Sequence, residues 1–228
     1  TGEHSNFKIP DVAAGSPKEE LTARLPRHED GISRTPFNAL LNAAQEVEVT
    51  GVLQDLDIDM MKCTHTMRVI LMPIDGAQTI EPAAYEFSIK DCNAWLAYNA
   101  EPYREDPVTY MPYYQEAISD ATNSKSETVT VSSAIVAELN TSRLIAKDKP
   151  RLIVRDAANG KVVMDIDLAW LLSLQAIGEH QAEWSNQEYL DRQDEFALTF
   201  FVDTDKGTWM QTHIIVNGWV LSLENIEL

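Results

Sequence analysis

The chain has 228 residues, 44% of them hydrophobic, enough for a sizeable core in two domains of about 100 residues or in one large sandwich. Its 36 acidic residues against 18 basic ones leave a formal charge of −18. That balance argues against nucleic acid as a partner and against adsorption to anionic lipid, since both need a cationic footprint.

No run of about 18 apolar residues is present to span a bilayer as a helix. No signal peptide opens the chain, and no cysteine near its start could carry lipid. TGEHSNFKIP reads as the interior of something longer. Residues 1–34 are irregular, with one capping-box shape at Ser16-Pro17-Lys18-Glu19 that predicts a short helical turn. Thr35-Pro36 then opens FNALLNAA, where Phe37, Leu40, Leu41 and Ala44 fall at helical spacing and predict a short amphipathic helix.

From Val47 the period becomes two. Val47 and Val49 alternate with Glu48 and Thr50, and Leu56, Ile58 and Met60 with Asp55, Asp57 and Asp59. Cys63, His65, Met67, Val69 and Leu71 oppose Thr64, Thr66 and Arg68. Tyr85, Phe87 and Ile89 oppose Glu86, Ser88 and Lys90. Turn chemistry at Pro73 to Gly76 and at Glu81-Pro82 separates the runs, an antiparallel sandwich pattern with no βαβ alternation.

Residues 92–114 are rich in aromatics and proline, and the polar stretch ISDATNSKSE (118–127) is the candidate boundary between domains 1–120 and 121–228. β patterning resumes through Val129, Val131, Ile135 and Leu139. Leu152–Arg155 and Val162–Ile166 flank Ala157-Ala158-Asn159-Gly160, a hairpin signal. Leu168, Leu171, Leu172 and Gln175 predict a short buried helix ended by Gly178. The capping box Ser185-Asn186-Gln187-Glu188 predicts another. Phe196, Leu198, Phe200 and Val202 mark a strand, Asp203 to Gly207 a turn, and Trp209 to Val216 a second β run. Asn217-Gly218 reads as a two-residue hairpin turn or as a glycine bulge inside one long strand leading to Trp219, Leu221 and Leu223.

The sequence carries no constellation of catalytic residues. His4, His28, His65, His180 and His213 lack zinc spacing, and Ser173 has no histidine near it in sequence. No nucleotide-binding loop or other cofactor signature occurs. Asp55, Asp57 and Asp59 suit a hard cation in type. The EF-hand positions for glycine and glutamate, however, hold Met60 and Thr66, which favours a solvated face. Cys63 and Cys92 allow one disulfide or two small buried hydrophobes. Trp95, Tyr98, Tyr103 and Tyr110 are the candidate ligand or interface residues. They suit a stacking platform for sugars or a protein anchor, or else they plug a seam between two sandwiches.

The ordered series AIVAELNTSRLI, RLIVRDAANGKVVMDIDLAWLL, WSNQEYLDRQDEFALTFFVD and WMQTHIIVNGWVLSLENIEL resembles the fimbrillin-associated anchor proteins of Bacteroidales-type fimbriae. SNFKIPDV, TPFNALLNAAQEVEVTG, TMRVILMPIDG, YEFSIKDCNAWLAYN and VTYMPYY agree in order. The resemblance implies an all-β fold with a few short helices, arranged as two tandem transthyretin-like sandwiches, the first lacking its opening strands. It also implies a structural subunit at the outer membrane that anchors or terminates a fimbria and joins other fimbrial subunits by strand donation. The lipid that would hold such a protein at the membrane is not carried by these residues. The chain is expected to accept a partner's strand but not to donate its own C-terminus. The alternative is a β-sandwich adhesin binding host glycan or protein through the aromatic platform.

Overall fold

A computed structural model of the chain describes residues 6–75, 78–120, 132–179, 184–209, 213–216 and 219–222. In chain order, a 3₁₀ turn at Lys18–Glu20 precedes the short strands β1 (Ala23–Arg24), β2 (Ile32–Ser33), β3 (Leu41–Asn42) and β4 (Met61–Lys62). The long β5 (Thr64–Pro73) is followed by β6 (Tyr85–Asp91), β7 (Trp95–Leu96), β8 (Val108–Tyr110) and β9 (Tyr114–Asp120). Then come β10 (Ser132–Ser142), β11 (Arg151–Asp156) and β12 (Val162–Asp167), and the helices α1 (Leu168–Glu179) and α2 (Asn186–Arg192). The last strands are β13 (Glu195–Asp203), β14 (Thr208–Trp209), β15 (His213–Val216) and β16 (Trp219–Ser222).

The fold is mostly β, as the periodicity requires. The larger sheet runs β16-β15-β13-β5-β10-β9, with β14 also on β13, and the second runs β12-β11-β6-β8-β2. The tandem arrangement expected about a boundary at 120/121 is corrected by this order, because each sheet mixes strands from both sides of that point. β9 and β10 flank the supposed boundary and pair with each other, Ala137 opposite Gln115. β5 is gripped by β10 on one side and by the parallel β13 on the other, with Leu198 opposite Val69. Residues 121–127 of the expected linker lie outside the described residues. One core fills the space between the sheets, with Met67, Val69, Leu71, Leu139, Leu198 and Phe200 from the first meeting Phe87, Ile89, Leu152 and Val154 from the second. The regular alternation of burial along β13 and β6 explains why those strands were legible in the sequence.

Locally, most punctuation behaves as its chemistry dictates. Ser185 Oγ accepts the Glu188 N–H at 3.1 Å and starts α2. β11 and β12 form the expected hairpin around Gly160, whose φ of +71° a side chain would resist. Val216 pairs with Trp219 in an antiparallel β15–β16 ladder, so a hairpin, and not one continuous strand, joins them; residues 217–218 are outside the described set. Residue 223 and beyond, including the expected donor-poor C-terminus, also lie outside it. α1 runs to Glu179, past the expected stop at Gly178.

Two expectations fail, for related reasons. Residues 37–44 are not helical. The Phe37 N–H is bound by Asn140 Oδ1 and the Leu40 N–H by Thr64 Oγ1, so the segment lies extended along the sheet. Residues 47–60 alternate as strands should, yet none of them is in a strand. Alternation makes extended backbone favourable, but a strand also needs a neighbouring edge, and among the described residues there is none.

Candidate subunit-contact surface

β3 and β4 pair with each other, Leu41 opposite Lys62 and Asn42 opposite Met61, and so clamp the two ends of residues 43–60 together. The Cys63 N–H donates to the Leu40 carbonyl at 2.8 Å, and Asn42 Nδ2 donates to the Tyr98 carbonyl at 2.9 Å. These bonds root the segment against the chain around β7. Beyond the root it leaves the surface as an arm. Val49 is 86% exposed and Leu53 96%, and no backbone hydrogen bond involving residues 43–60 is present among the described residues. The arm bends at Gly51, whose φ is +78°.

At the root, an apolar cleft of about 230 Å³ opens among Leu21, Leu40, Leu41, Met60, Leu96 and Tyr98. Its floor includes Cys63 and Ala100, both buried. Burial pushes the Cys63 thiol up to about 12, so it remains a neutral, apolar group. Cys63 and Cys92 are both free thiols, which settles the disulfide alternative against pairing. Lys18 Nζ sits 5.0 Å from the centre of the ring of Tyr98, which lines the cleft. On its other side the root faces α2 across a polar groove lined by Asp59, Met61, Gln187, Glu188 and Asp191.

The four aromatic residues singled out from the sequence divide. Trp95 and Tyr103 lie on one another, ring centres 4.4 Å apart and planes inclined by 38°, each half-buried. The Arg24 guanidinium stands 5.1 Å from the Trp95 ring and reaches Asp106 at 3.3 Å. Tyr98, also half-buried, lines the cleft. Tyr110 is a correction: it is fully buried between the sheets and offers no face to a ligand. Its hydroxyl donates to Asn93 Oδ1 at 2.6 Å and accepts the Ser142 N–H at 3.2 Å, which fastens β8 to β10. Asn93 in turn donates to the Arg143 carbonyl at 2.9 Å.

Of the other residues weighed from the sequence, His65 is a core residue of β5, and Ser173 is buried with its hydroxyl on the Trp170 carbonyl. Asp55, Asp57 and Asp59 are exposed on the arm. Among the described residues, no three of His, Cys, Asp and Glu gather as a metal site. No described helix is long and apolar enough to cross a membrane. The arm was hidden in the sequence because its alternation looks like that of a paired strand. Arg24 and Lys18, from an irregular stretch, gave no signal of their contact with Trp95 and Tyr98.

The sequence matches the family model for fimbrillin-A associated anchor proteins Mfa1 and Mfa2 over residues 2–225. No curated protein sequence matches it. A candidate adhesin from Bacteroides thetaiotaomicron superposes with a TM-score of 0.83 at 25% identity, over 97% of this chain and 73% of its own. A candidate polysaccharide-binding protein from the same species does so with a TM-score of 0.79 at 26% identity, over 96% and 72%. The fimbrial anchor protein Mfa2 from Porphyromonas gingivalis, 14% identical, shares the fold with a TM-score of 0.61 over 95% of this chain and 72% of its own.

Proposed function

The chain belongs to the fimbrillin-A associated anchor family, and on that footing we propose that it is a structural subunit of a bacterial surface fimbria, an anchor or tip protein that joins neighbouring subunits by strand complementation. The observation that carries this reading is the family match along nearly the whole chain. The adhesin-like neighbours support a fimbrial, non-enzymatic role in the same direction. Physics makes the joining plausible in detail: an unpaired extended segment and a sheet edge each hold backbone groups that a neighbour can satisfy, and apolar side chains beside them add affinity. The site of action in this reading is the outer membrane, with lipid as the attachment. Cys63, buried beneath the cleft, does not suit that lipid.

The test is composition and retention. Fimbriae sheared from the producing cells and dissociated should contain the chain by mass spectrometry, cross-linked to other fimbrial subunits. Fimbriae that lack it, and whose subunits give no cross-link to it, would refute the reading.

Glycan binding is the second reading, favoured by the likeness to the candidate polysaccharide-binding protein and by the half-exposed Trp95, Tyr98 and Tyr103. A glycan array that is positive for the chain and blank for Trp95→Ala would establish it; an array blank for both removes it.

A further inference from the structure

The arm carries two features that the packing of the described residues leaves largely unused. The first is its apolar content. Val49, Val52, Leu53, Leu56, Ile58 and Met60 are between 49 and 96% exposed, within a dozen consecutive residues. Scattered exposed hydrophobes are ordinary, but a concentrated set on one projecting segment marks a contact surface. The second is charge. Residues 43–60 contain Glu46, Glu48, Asp55, Asp57 and Asp59, with no lysine, arginine or histidine. The sole ion pair of the arm among the described residues is a 3.9 Å approach of Lys18 to Glu46, whose side chain is 98% exposed.

In its limb after Gly51 the two features separate by parity. In extended backbone Leu56, Ile58 and Met60 fall on one face, and Asp55, Asp57 and Asp59 on the other. Such a limb is a strand in composition and lacks only a neighbour. With its amides and carbonyls unpaired among the described residues, its backbone is open to another sheet.

We propose that residues 43–60 are an acidic docking strand that adds to an open sheet edge of another protein subunit, setting Leu56, Ile58 and Met60 into an apolar groove and the three aspartates against a lysine- or arginine-rich rim. This rests on the subunit reading given above and names the segment and the partner's chemistry. A second copy of this chain is a poor occupant. With a formal charge of −18, it would set five carboxylates against a surface of their own sign. The same charge opposes nucleic acid and anionic membrane. The β3–β4 clamp and the bonds at Leu40 and Asn42 present the strand with both ends fixed, which lowers the ordering cost of docking.

The experiment uses the full chain and fimbriae purified from producing cells deleted for its gene, with binding read by co-sedimentation at 50 and 500 mM salt. The unaltered chain should co-sediment, and less so at high salt. Ile58→Asp should weaken binding at least tenfold, and the triple change Asp55→Lys, Asp57→Lys, Asp59→Lys should do the same and reverse the salt dependence. Both changes lie on exposed positions, so the melting temperature should not move. Amides of residues 53–60 should gain hydrogen-exchange protection in the pellet. Unaltered binding by both variants, with the arm still exchanging freely, overturns the docking strand and leaves the subunit reading intact. No co-sedimentation of the unaltered chain overturns both. A self-association lost in Ile58→Asp would identify a second copy as the occupant and overturn the partner assigned here.

Discussion

Asp91, at the end of β6, offers a test of the core's electrostatics that needs no partner. Its Oδ1 accepts the Cys92 N–H at 2.7 Å, whereas Oδ2 is buried without a hydrogen-bond partner. Burial is the main cause lifting its carboxyl from an ordinary 3.8 to about 7, with Asp148 adding to the rise and the Cys92 N–H and Arg104 opposing it. Below the lower value both folded and unfolded chains are protonated there, and nothing is lost. Between the two values the unfolded chain ionises freely while the folded one holds its proton, so stability falls as pH rises; above the upper value the loss is complete, on the order of 4 kcal/mol at most. In Asp91→Asn the acceptor for Cys92 remains and the ionisation is gone. The stability of the variant relative to the parent should therefore grow by ~2 kcal/mol between pH 5.5 and pH 8 and stay level beyond. Urea unfolding followed by tryptophan fluorescence at four pH values measures this. A fixed cost for the unpaired amide would shift all four values equally, so only the slope matters. A difference that is flat with pH, or that shrinks as pH rises, refutes the assignment.

The ion pairs should rank by burial. Arg143, its side chain 7% exposed, holds Asp191 through two bonds of 2.7 and 2.8 Å and so fastens α2 to the end of β10. Asp191→Asn should cost about 2–3 kcal/mol in urea unfolding, because the buried guanidinium loses its bidentate partner and keeps only the Ala100 carbonyl at 3.0 Å and Glu101 at 3.4 Å. By contrast, Glu188→Gln, which breaks the exposed pair with Arg192, should cost about 0.5 kcal/mol or less. Equal effects would contradict the ranking. His65 titrates in the opposite sense to Asp91: burial holds its imidazole below the ordinary 6.5, with Nε2 2.9 Å from the Leu190 carbonyl. The unfolded chain gains a proton below pH 6.5 that the folded chain refuses, so this contribution to stability is lost on acidification. By NMR its ring signals should titrate with a midpoint below the ordinary 6.5, and a midpoint at or above the ordinary value would count against its burial.

Half of the aromatic site could be read without coordinates. Trp95 and Tyr103 are close in sequence and on either side of a tight turn, so their contact is nearly local, with the Tyr103 N–H on the Trp95 carbonyl at 2.8 Å. Tyr110 looked the same by composition. It differs because β8 lies between β6 and β2, inside the second sheet, and that placement depends on strands far away along the chain.

By itself the sequence determined the β character of the chain, the faces of β5, β6 and β13, the capping of α2, the hairpin at Gly160, and, through the order of its segments, the family. These depend on side-chain period and turn chemistry, which act over a few residues. Only the tertiary structure decided that both halves of the chain share two sheets, because pairing β5 with β13 or β9 with β10 is a contest among edges that periodicity does not rank. It also decided that residues 47–60, patterned like any strand, stand without a neighbour. Whether an extended segment becomes a strand is settled by the hydrogen-bonding edge beside it, and the described residues supply none there.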